Sequence, residues 1–315
     1  MFINAIGYYI PETRISNDYF TKINGIASDW ILQRTGILFR SRASEKETMN
    51  YMCNEAIKNS LPRLPYNITD IDLIIFASYT PSDTIATAGH FIQKKYNIAK
   101  AKVFYISSAC SSAISAMEVI KLFLETSCSK KALLICAERN STYSNDKDCK
   151  SGHLWGDGAV AYYFSNKRFV KNEPKVIDII SQGLGHIGQG PEGVFLDPLN
   201  GGLQMPNGKD VFMQACKYIT QNTKDIIEKN GYTLADLTYF IGHQANKRIL
   251  QNVINQLGLP EEKSLSNIEE LGNTGSASAL LVFAQNYEQF HFDDLICISV
   301  FGGGYSAGAC LIKIV

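Results

Sequence analysis

The sequence has no net charge, because 30 lysines and arginines balance 30 aspartates and glutamates among its 315 residues. A balanced chain has no overall field to attract nucleic acid or an anionic membrane, so we expect neither partner. No apolar run approaches the length that spans a bilayer, and the N-terminal segment lacks a basic region followed by an apolar stretch. We therefore expect no export signal and a cytoplasmic location.

The eight cysteines include no CxxC pair and no cluster with histidine at metal-binding spacing. Most lie in apolar runs that predict strands, as Cys136, Cys297 and Cys310 do. We interpret these as reduced core thiols and expect no metal site. With 45% hydrophobic and 19% charged residues, the chain is long enough for a large core in one domain or two fused ones.

One cysteine stands apart from the core thiols. Val103 to Ile106 is an apolar, β-branched and aromatic run that predicts a buried strand, and apolar residues after Cys110 recur at helical spacing. Cys110 is thus predicted where a strand turns into a helix N-terminus, a position that lowers a thiol pKa and favours the nucleophilic thiolate. From this position alone, a buried core cysteine is the alternative.

Parts of the chain recur at a nearly constant offset of 163 or 164 positions. The matching pairs are the segments 72–80 and 236–244, the helix starts at Cys110 and Asn273, and the strands beginning at Lys131 and Asp294. This repetition predicts two similar α/β halves, 1–170 and 171–315. In such folds ligands bind where strand ends meet, and the ends of these strands carry Cys110, His243 and Asn273.

These three side chains fit carbon–carbon bond formation on thioesters. The thiolate takes an acyl group, and His243 and Asn273 polarise a second thioester carbonyl as an enolate forms. Singly, a histidine is more often a satisfied polar residue and an asparagine a helix cap. Trp30 with Arg34 and Arg40 nearby is able to stack an adenine and hold phosphates, although a partly buried tryptophan beside solvated arginines fits the same spacing.

Six motifs, in the same order, resemble the β-ketoacyl-ACP synthase III family of the thiolase fold. They are Ala109-Cys110, Trp30-Ile31 with Arg34-Thr35-Gly36-Ile37, Gly156-Asp157-Gly158-Ala159, His243-Gln244-Ala245-Asn246 with Arg248-Ile249, Gly272-Asn273-Thr274, and Phe301-Gly302-Gly303-Gly304. The resemblance implies a five-layer αβαβα homodimer. It implies that acyl-CoA loads Cys110, after which malonyl-ACP decarboxylates while His243 and Asn273 hold the enolate.

The resemblance also assigns the surroundings of the thiol. It implies that the backbone N–H groups of Cys110 and Gly304 form the oxyanion hole, and that Ile85 gates the acyl pocket. The entrance for CoA or pantetheine would be lined by Trp30, Arg34 and Arg248. The implied chemistry needs no metal or redox cofactor.

The chain departs from the family pattern in two places. Cys110 is followed by Ser-Ser-Ala rather than by a small residue, glycine and an aromatic, which predicts a reshaped acyl pocket. On the surface that binds the carrier protein, basic residues are replaced by Met213, Gln251, Asn255 and Gln256. Only Lys247 and Arg248 remain there, with Lys217 as a candidate neighbour from another helix. An acyl carrier protein partner would therefore meet a weakened patch, and malonyl-CoA is the other candidate acceptor. These departures favour a divergent member in specialised metabolism.

Three other functions are compatible with parts of the pattern. An acyltransferase of the same fold would pass the acyl group from Cys110 to an alcohol, amine or thiol without condensation, but such an enzyme has little use for Asn273. A hydroxymethylglutaryl-CoA-synthase-like reaction needs a carboxylate base, for which Glu138 is the single candidate. A non-enzymatic scaffold would not require Cys110, His243 and Asn273 together.

Overall fold

The computed structural model describes residues 1–315, and strands and helices alternate along most of the chain. The strands are β1 (Phe2–Tyr9), β2 (Thr13–Ser16), β3 (Phe39–Arg42), β4 (Leu73–Ala77), β5 (Lys102–Ile106), β6 (Lys131–Arg139), β7 (Asp157–Ser165), β8 (Pro174–Gly183), β9 (Phe195–Asp197), β10 (Gly202–Gln204), β11 (Tyr239–Gly242), β12 (Leu295–Gly302) and β13 (Ser306–Ile314). The helices are α1 (Asn17–Asn24), α2 (Ser28–Thr35), α3 (Met49–Ser60), α4 (Ala88–Lys95), α5 (Ser112–Glu125), α6 (Gly208–Lys229), α7 (Lys247–Leu257), α8 (Ile268–Leu271) and α9 (Ser278–Gln285).

Nine strands form one mixed sheet in the order β11-β12-β13-β8-β1-β7-β6-β4-β5. The β8–β1 pair, whose ladder consists of one residue pair, Phe2 with Lys175, divides the order into four strands and five. On one side β4 runs parallel to β6, and on the other β11 runs parallel to β12. The boundary that we predicted at residue 170 falls in the loop between β7 and β8, and the division into two halves remains our proposal.

Three apolar cores separate the helices from the sheet. The largest core packs α5 and α9 between the two sides of the sheet, where Met117, Ile120 and Phe283 are fully buried. A second core places α6 and α7 outside β11 to β13, and a third places α3 and α4 outside β4 and β6. The strands β11-β12-β13-β8 form one sheet layer and β1-β7-β6-β4-β5 the other. The layers therefore alternate helix, sheet, helix, sheet, helix, as the resemblance to the thiolase fold implied.

The sequence patterns located most elements to within a few residues. The apolar run before Cys110 forms β5, and the amphipathic segment after it forms α5. The glycine-rich stretch between positions 183 and 208 contains the short hairpin of β9 and β10, which no sequence pattern indicated. Periodicity does not detect three-residue strands, because they are shorter than two full repeats of the alternation. None of the helices combines the length and the apolar character that crossing a bilayer requires.

Candidate active site

Cys110 lies in the turn that joins β5 to α5. Ala109 takes a left-handed conformation with φ of 50°, which reverses the chain before the helix. The Ser112 hydroxyl accepts the Ser108 N–H at 2.9 Å and donates to the Ala109 carbonyl at 2.5 Å, so the turn is held from both sides. Cys110 is 7% exposed, and its thiol faces a small chamber at the ends of the strands.

The protonation of this thiol differs from our expectation. Burial, followed by the nearby Glu138 carboxylate, raises the pKa of Cys110 to about 12. The N–H groups of Gly303 and Cys110 and the Tyr79 hydroxyl act in the opposite direction but less strongly. The prediction of a lowered pKa was therefore wrong, because position at a helix start says nothing about how completely the thiol is removed from water.

The raised pKa gives a direct prediction for thiol chemistry in the free enzyme. The thiolate fraction of a thiol grows about tenfold per pH unit below its pKa. We expect the rate at which iodoacetamide alkylates Cys110 to keep rising from about pH 7 to about pH 10, measured by peptide mass. Exposed Cys149 serves as the internal reference for the reagent. A rate that levels off below about pH 8 would show instead that the pKa of Cys110 is lowered.

His243 follows β11 and presents a neutral imidazole to the chamber. Its backbone N–H donates to the Ser299 carbonyl at 3.0 Å, and burial lowers the pKa of the ring to about 4. The Ser278 hydroxyl oxygen accepts the Gln244 N–H at 3.3 Å, so its hydrogen is available to His243 Nδ1, 2.7 Å away. The ring proton then lies on Nε2, which makes that atom a hydrogen-bond donor.

Asn273 lies beside His243 in the same chamber. Its backbone is tied to the strand-end loop by an N–H donated to Leu154 and a carbonyl that accepts the Gly156 N–H. Its side-chain Oδ1 accepts the Gly275 N–H at 3.0 Å, so the Nδ2 amide group remains to donate. The chamber thus holds a thiol and two neutral donors, as the sequence predicted.

The glycine that faces Cys110 is not the one that we predicted. Gly303 is buried, lines the chamber and has its N–H close enough to the thiol to act on the Cys110 pKa. Gly304, proposed as the oxyanion donor, is exposed and does not line the chamber. Because three glycines follow one another, the sequence alone does not indicate which of their backbone N–H groups points into the chamber. Gly302 permits the approach, because a Cβ there would lie 2.7 Å from the Cys110 nitrogen.

An entrance cleft of about 480 Å³ leads from the surface to the chamber. Trp30, Arg34 and Arg248 all line it, as predicted, and the Arg34 guanidinium lies 5.6 Å from the centre of the Trp30 ring. Two further cations, Lys150 and Lys209, were missed because neither belongs to a motif. Four cations and one exposed aromatic ring in the same cleft form a site that suits a phosphorylated nucleotide.

A second small cavity, the acyl pocket, extends from Cys110 away from the cleft. Its volume is about 60 Å³, and it is lined by Tyr79, Ala109, Cys110, Trp155, Val194, Phe195, Leu196 and Leu203. Ile85 is 82% exposed and does not line the pocket of its own chain, and its role as a gate stays a prediction. Ser111 and Ser112 also lie outside it. The pocket is shaped by Tyr79, Trp155 and the β9–β10 hairpin instead.

Glu138 lies at the end of β6 and is fully buried. Its carboxylate accepts hydrogen bonds from the Ser78, Thr80 and Ser276 hydroxyl groups and from the backbone N–H of Tyr79. Burial raises its pKa to about 7. Glu138 lines neither the chamber nor the acyl pocket, and its contacts fix the loop that carries Tyr79. This arrangement supports a positioning role and gives no geometry for a carboxylate base on substrate.

Two family models match the chain. One, described as 3-oxoacyl-[acyl-carrier-protein] synthase III, matches residues 104–183, and the C-terminal model of the same enzyme matches residues 227–314. A beta-ketoacyl-[acyl-carrier-protein] synthase III of Ehrlichia ruminantium is 31% identical over 99% of this chain and 98% of its own length.

Solved structures agree with the sequence relatives. The 3-oxoacyl-[acyl-carrier-protein] synthase III of Aquifex aeolicus superposes with a TM-score of 0.92 at 29% identity, covering 99% of both chains. The priming beta-ketosynthase of the R1128 polyketide pathway gives a TM-score of 0.89 at 25% identity, covering 99% of this chain and 96% of its own.

Proposed function

Because this chain belongs to the 3-oxoacyl-[acyl-carrier-protein] synthase III family, we propose that it moves an acyl group from acyl-CoA through Cys110 to a malonyl thioester. It is a condensing acyltransferase of fatty-acid or polyketide biosynthesis. The observation that carries the proposed residue roles is the chamber itself, where one thiol and two neutral donors converge. The rest of the proposal assigns a step to each group.

In the first step the Cys110 sulfur attacks the carbonyl carbon of acyl-CoA. A carbon–sulfur bond to Cys110 forms, the bond to CoA breaks, and the thiol proton leaves with the CoA sulfur. The N–H groups of Gly303 and Cys110 lie close enough to the thiol to act on its pKa, which supports a role in stabilising the oxyanion of the tetrahedral intermediate. Because the free thiol is protonated, the step depends on losing that proton as the substrate binds.

In the second step a malonyl thioester replaces CoA in the cleft and loses carbon dioxide. The electron pair left behind forms an enolate, whose oxygen accepts hydrogen bonds from His243 Nε2 and Asn273 Nδ2. The enolate carbon attacks the acyl carbonyl, the bond to Cys110 breaks, and the cysteine takes up a proton. Neutral donors suit this role, because they stabilise the enolate oxygen without protonating it. No cofactor is required by this scheme.

The entrance cleft supports acyl-CoA as donor, and the acceptor is carried by an acyl carrier protein or by CoA. Lys247, one of the cations left for carrier docking, forms an ion pair with Glu269. Met213 is 51% exposed on α6, where a cation would have extended the patch. The cleft cations Arg34, Lys150, Lys209 and Arg248 are therefore the main charges available to an acidic carrier. These features support a divergent member in specialised metabolism, and restored growth of a strain lacking its housekeeping synthase III would count against that.

Removing two cleft cations tests the CoA site. In Arg34→Ala/Arg248→Ala the KM for acyl-CoA is expected to rise roughly tenfold, with kcat little changed, because phosphate contacts act on binding. The wild-type KM should also rise with salt. Arg168→Ala is the matched control, since this exposed arginine lies outside the cleft. If the KM of the double variant is as low as that of the control, the cleft does not bind CoA.

The free edge of the sheet supports a homodimer. β5 pairs only with β4, and Phe104 on it is 41% exposed and contacts Phe123. An edge strand with apolar side chains is covered in most proteins. We place the partner subunit there, which leaves Ile85 available to reach the partner's pocket. A cytoplasmic location fits an enzyme whose nucleophile must stay reduced.

Product analysis distinguishes the proposed condensation from the rival function, which is acyl transfer without condensation. With acetyl-CoA and a malonyl thioester labelled in its free carboxyl group, the proposal predicts one labelled carbon dioxide per β-ketoacyl product. Acetyl transfer to an added alcohol, amine or thiol with no carbon dioxide release would favour the rival.

A further inference from the structure

One buried polar group beside the nucleophile has no role in either proposed step. The Tyr79 hydroxyl is buried and has no hydrogen-bond partner in the protein. Tyr79 and Cys110 line the same cavity of about 60 Å³, and the hydroxyl lies close enough to the thiol to act on its pKa. Buried hydroxyl groups without a partner are costly and rare in folded proteins, so one placed against the reacting sulfur calls for a functional explanation.

The phenol is held in place by two segments of the site. The Tyr79 backbone N–H donates to the Glu138 carboxylate at 3.1 Å, which fixes the loop after β4. On the other side the hydroxyl lies against Gly275, where a Cβ would come within 2.4 Å of the phenol oxygen. Gly275 thus leaves the space that the hydroxyl occupies next to the thiol.

The surroundings of Cys110 disfavour its thiolate. Burial, followed by the nearby Glu138 carboxylate, raises the pKa of the thiol, and no lysine or arginine lines the chamber or the acyl pocket. His243 faces the chamber as a neutral imidazole, because burial lowers its pKa to about 4. Burial also raises the pKa of Cys136, the other thiol nearby, well above its ordinary value. A thiolate on Cys110 is therefore stabilised by hydrogen-bond donors rather than by a cation.

The Tyr79 hydroxyl suits the role of a donor and not that of a base. Burial, followed by the nearby Cys110 and Glu138, raises the pKa of Tyr79 well above its ordinary value, so the phenol keeps its proton. A neutral thiol is a weak acceptor, whereas hydrogen bonds to a charged acceptor are strong. The hydroxyl therefore gains a partner as the sulfur becomes charged, and interactions that strengthen toward the transition state accelerate a reaction.

We propose that Tyr79 is a further catalytic residue of the acylation step, in which its hydroxyl donates a hydrogen bond to the Cys110 sulfur as the thiolate forms. The proposal rests on the proposed function for the identity of that step. The phenol keeps its own proton throughout: the thiol proton leaves with the CoA sulfur, and the carbon–sulfur bond to Cys110 forms as the bond to CoA breaks. Once the sulfur is part of a thioester it is a weak acceptor again, so the hydrogen bond contributes little to decarboxylation.

A rival partner for the hydroxyl lies within the protein. The Asn140 side chain lies close enough to act on the pKa of Tyr79. Its Nδ2 donates to the Gly156 carbonyl at 2.7 Å, whereas its Oδ1 has no partner. A hydroxyl that donates to Asn140 Oδ1 would not stabilise the Cys110 thiolate. Removing the hydroxyl distinguishes the two arrangements.

The first test compares Tyr79→Phe with wild type in the alkylation of Cys110 by iodoacetamide, from about pH 7 to about pH 10, read by peptide mass. The pKa of Cys110 should rise in the variant. At about pH 8 alkylation is expected to slow by roughly threefold to tenfold, because the loss of thiolate outweighs the gain in its nucleophilicity. A purely steric effect has the opposite sign, since removing the hydroxyl opens space beside the sulfur. Tyr105→Phe is the matched control, because this phenol is also buried and unpartnered but lies outside the pocket.

The second test measures the two half-reactions separately. Acylation of Cys110 by acetyl-CoA is expected to slow by about tenfold to 100-fold in Tyr79→Phe, the effect of losing a hydrogen bond to a charged group. Labelled carbon dioxide release by protein acylated beforehand should be little changed. The variant is expected to fold, since it removes a hydroxyl that has no partner in the resting protein.

Alkylation of folded Tyr79→Phe at or above the wild-type rate would overturn the inference, and so would equal slowing of acylation and decarboxylation. Because alkylation needs no acyl-CoA, the inference and the proposed function fail separately. If acetyl-CoA acylates Cys110 at the same rate in wild type and Tyr79→Phe, the inference fails and the proposed function stands. If no acyl-CoA acylates folded wild type while Tyr79→Phe still slows alkylation, the hydrogen bond to the thiolate stands and the proposed function fails.

Discussion

Replacing Cys110 with alanine is expected to abolish acyl loading and to lower the rate of condensation by on the order of 10⁴-fold or more. The thiol is the one nucleophile in the chamber, and both half-reactions pass through its sulfur. Little structural damage is expected, because the change removes one buried atom from a turn that Ser112 holds independently. The measurements are the burst of CoA release and the steady-state rate of β-ketoacyl formation.

Two variants control this result. Cys110→Ser keeps the size and polarity of the side chain but replaces the sulfur with a much weaker nucleophile, so it should be nearly as inactive as alanine. Cys149→Ser removes an exposed thiol outside the chamber and should behave as wild type. Stoichiometric CoA release by folded Cys110→Ala would show that another group carries the acyl chain.

Replacing His243 or Asn273 with alanine is expected to lower the rate of decarboxylation by about 100-fold to 1000-fold, the usual effect of removing one oxyanion donor. Acylation of Cys110 should be affected much less, since the enolate oxygen forms only in the second step. The reason lies in the geometry: Ser278 fixes the His243 proton on Nε2, and Gly275 leaves the Asn273 amide free to donate. The measurement is labelled carbon dioxide release from protein acylated beforehand.

The split between the two half-reactions is the informative readout. Asn273→Asp keeps the shape of the side chain but replaces the donor with an acceptor, so it should be as slow as the alanine variant. Variants that acylate and decarboxylate equally poorly would point to a general disturbance of the chamber. If the variants decarboxylate at the wild-type rate, these residues do not stabilise the enolate.

The sequence was sufficient for the fold and for the three reacting side chains because both are set by local patterns. A continuous apolar run and helical spacing located β5 and α5, and the recurring offset indicated where strand ends meet. Cys110 and His243 follow β5 and β11, whose ends lie at one edge of the sheet, whereas Asn273 follows α8 and was placed there by the offset that pairs it with Cys110. Their convergence was therefore predictable before any distance was known.

Features that depend on three-dimensional enclosure were not predictable. The Cys110 pKa is raised because the thiol is buried and Glu138 lies nearby, and neither fact follows from its place before a helix. The choice of Gly303 over Gly304 depends on which N–H faces the thiol. Lys150 reaches the cleft from a turn and Lys209 from the first turn of α6, and neither position belongs to a motif.

The most direct test of the central claim is the intact mass of wild type and Cys110→Ser after incubation with a panel of short acyl-CoAs. We predict that wild type alone gains the mass of one acyl group, that peptide mapping places it on Cys110, and that a malonyl thioester then removes it as a β-ketoacyl product. Acyl mass on both proteins, or on neither although both are folded, would contradict the assignment of Cys110 as the nucleophile and with it the mechanism built on the chamber.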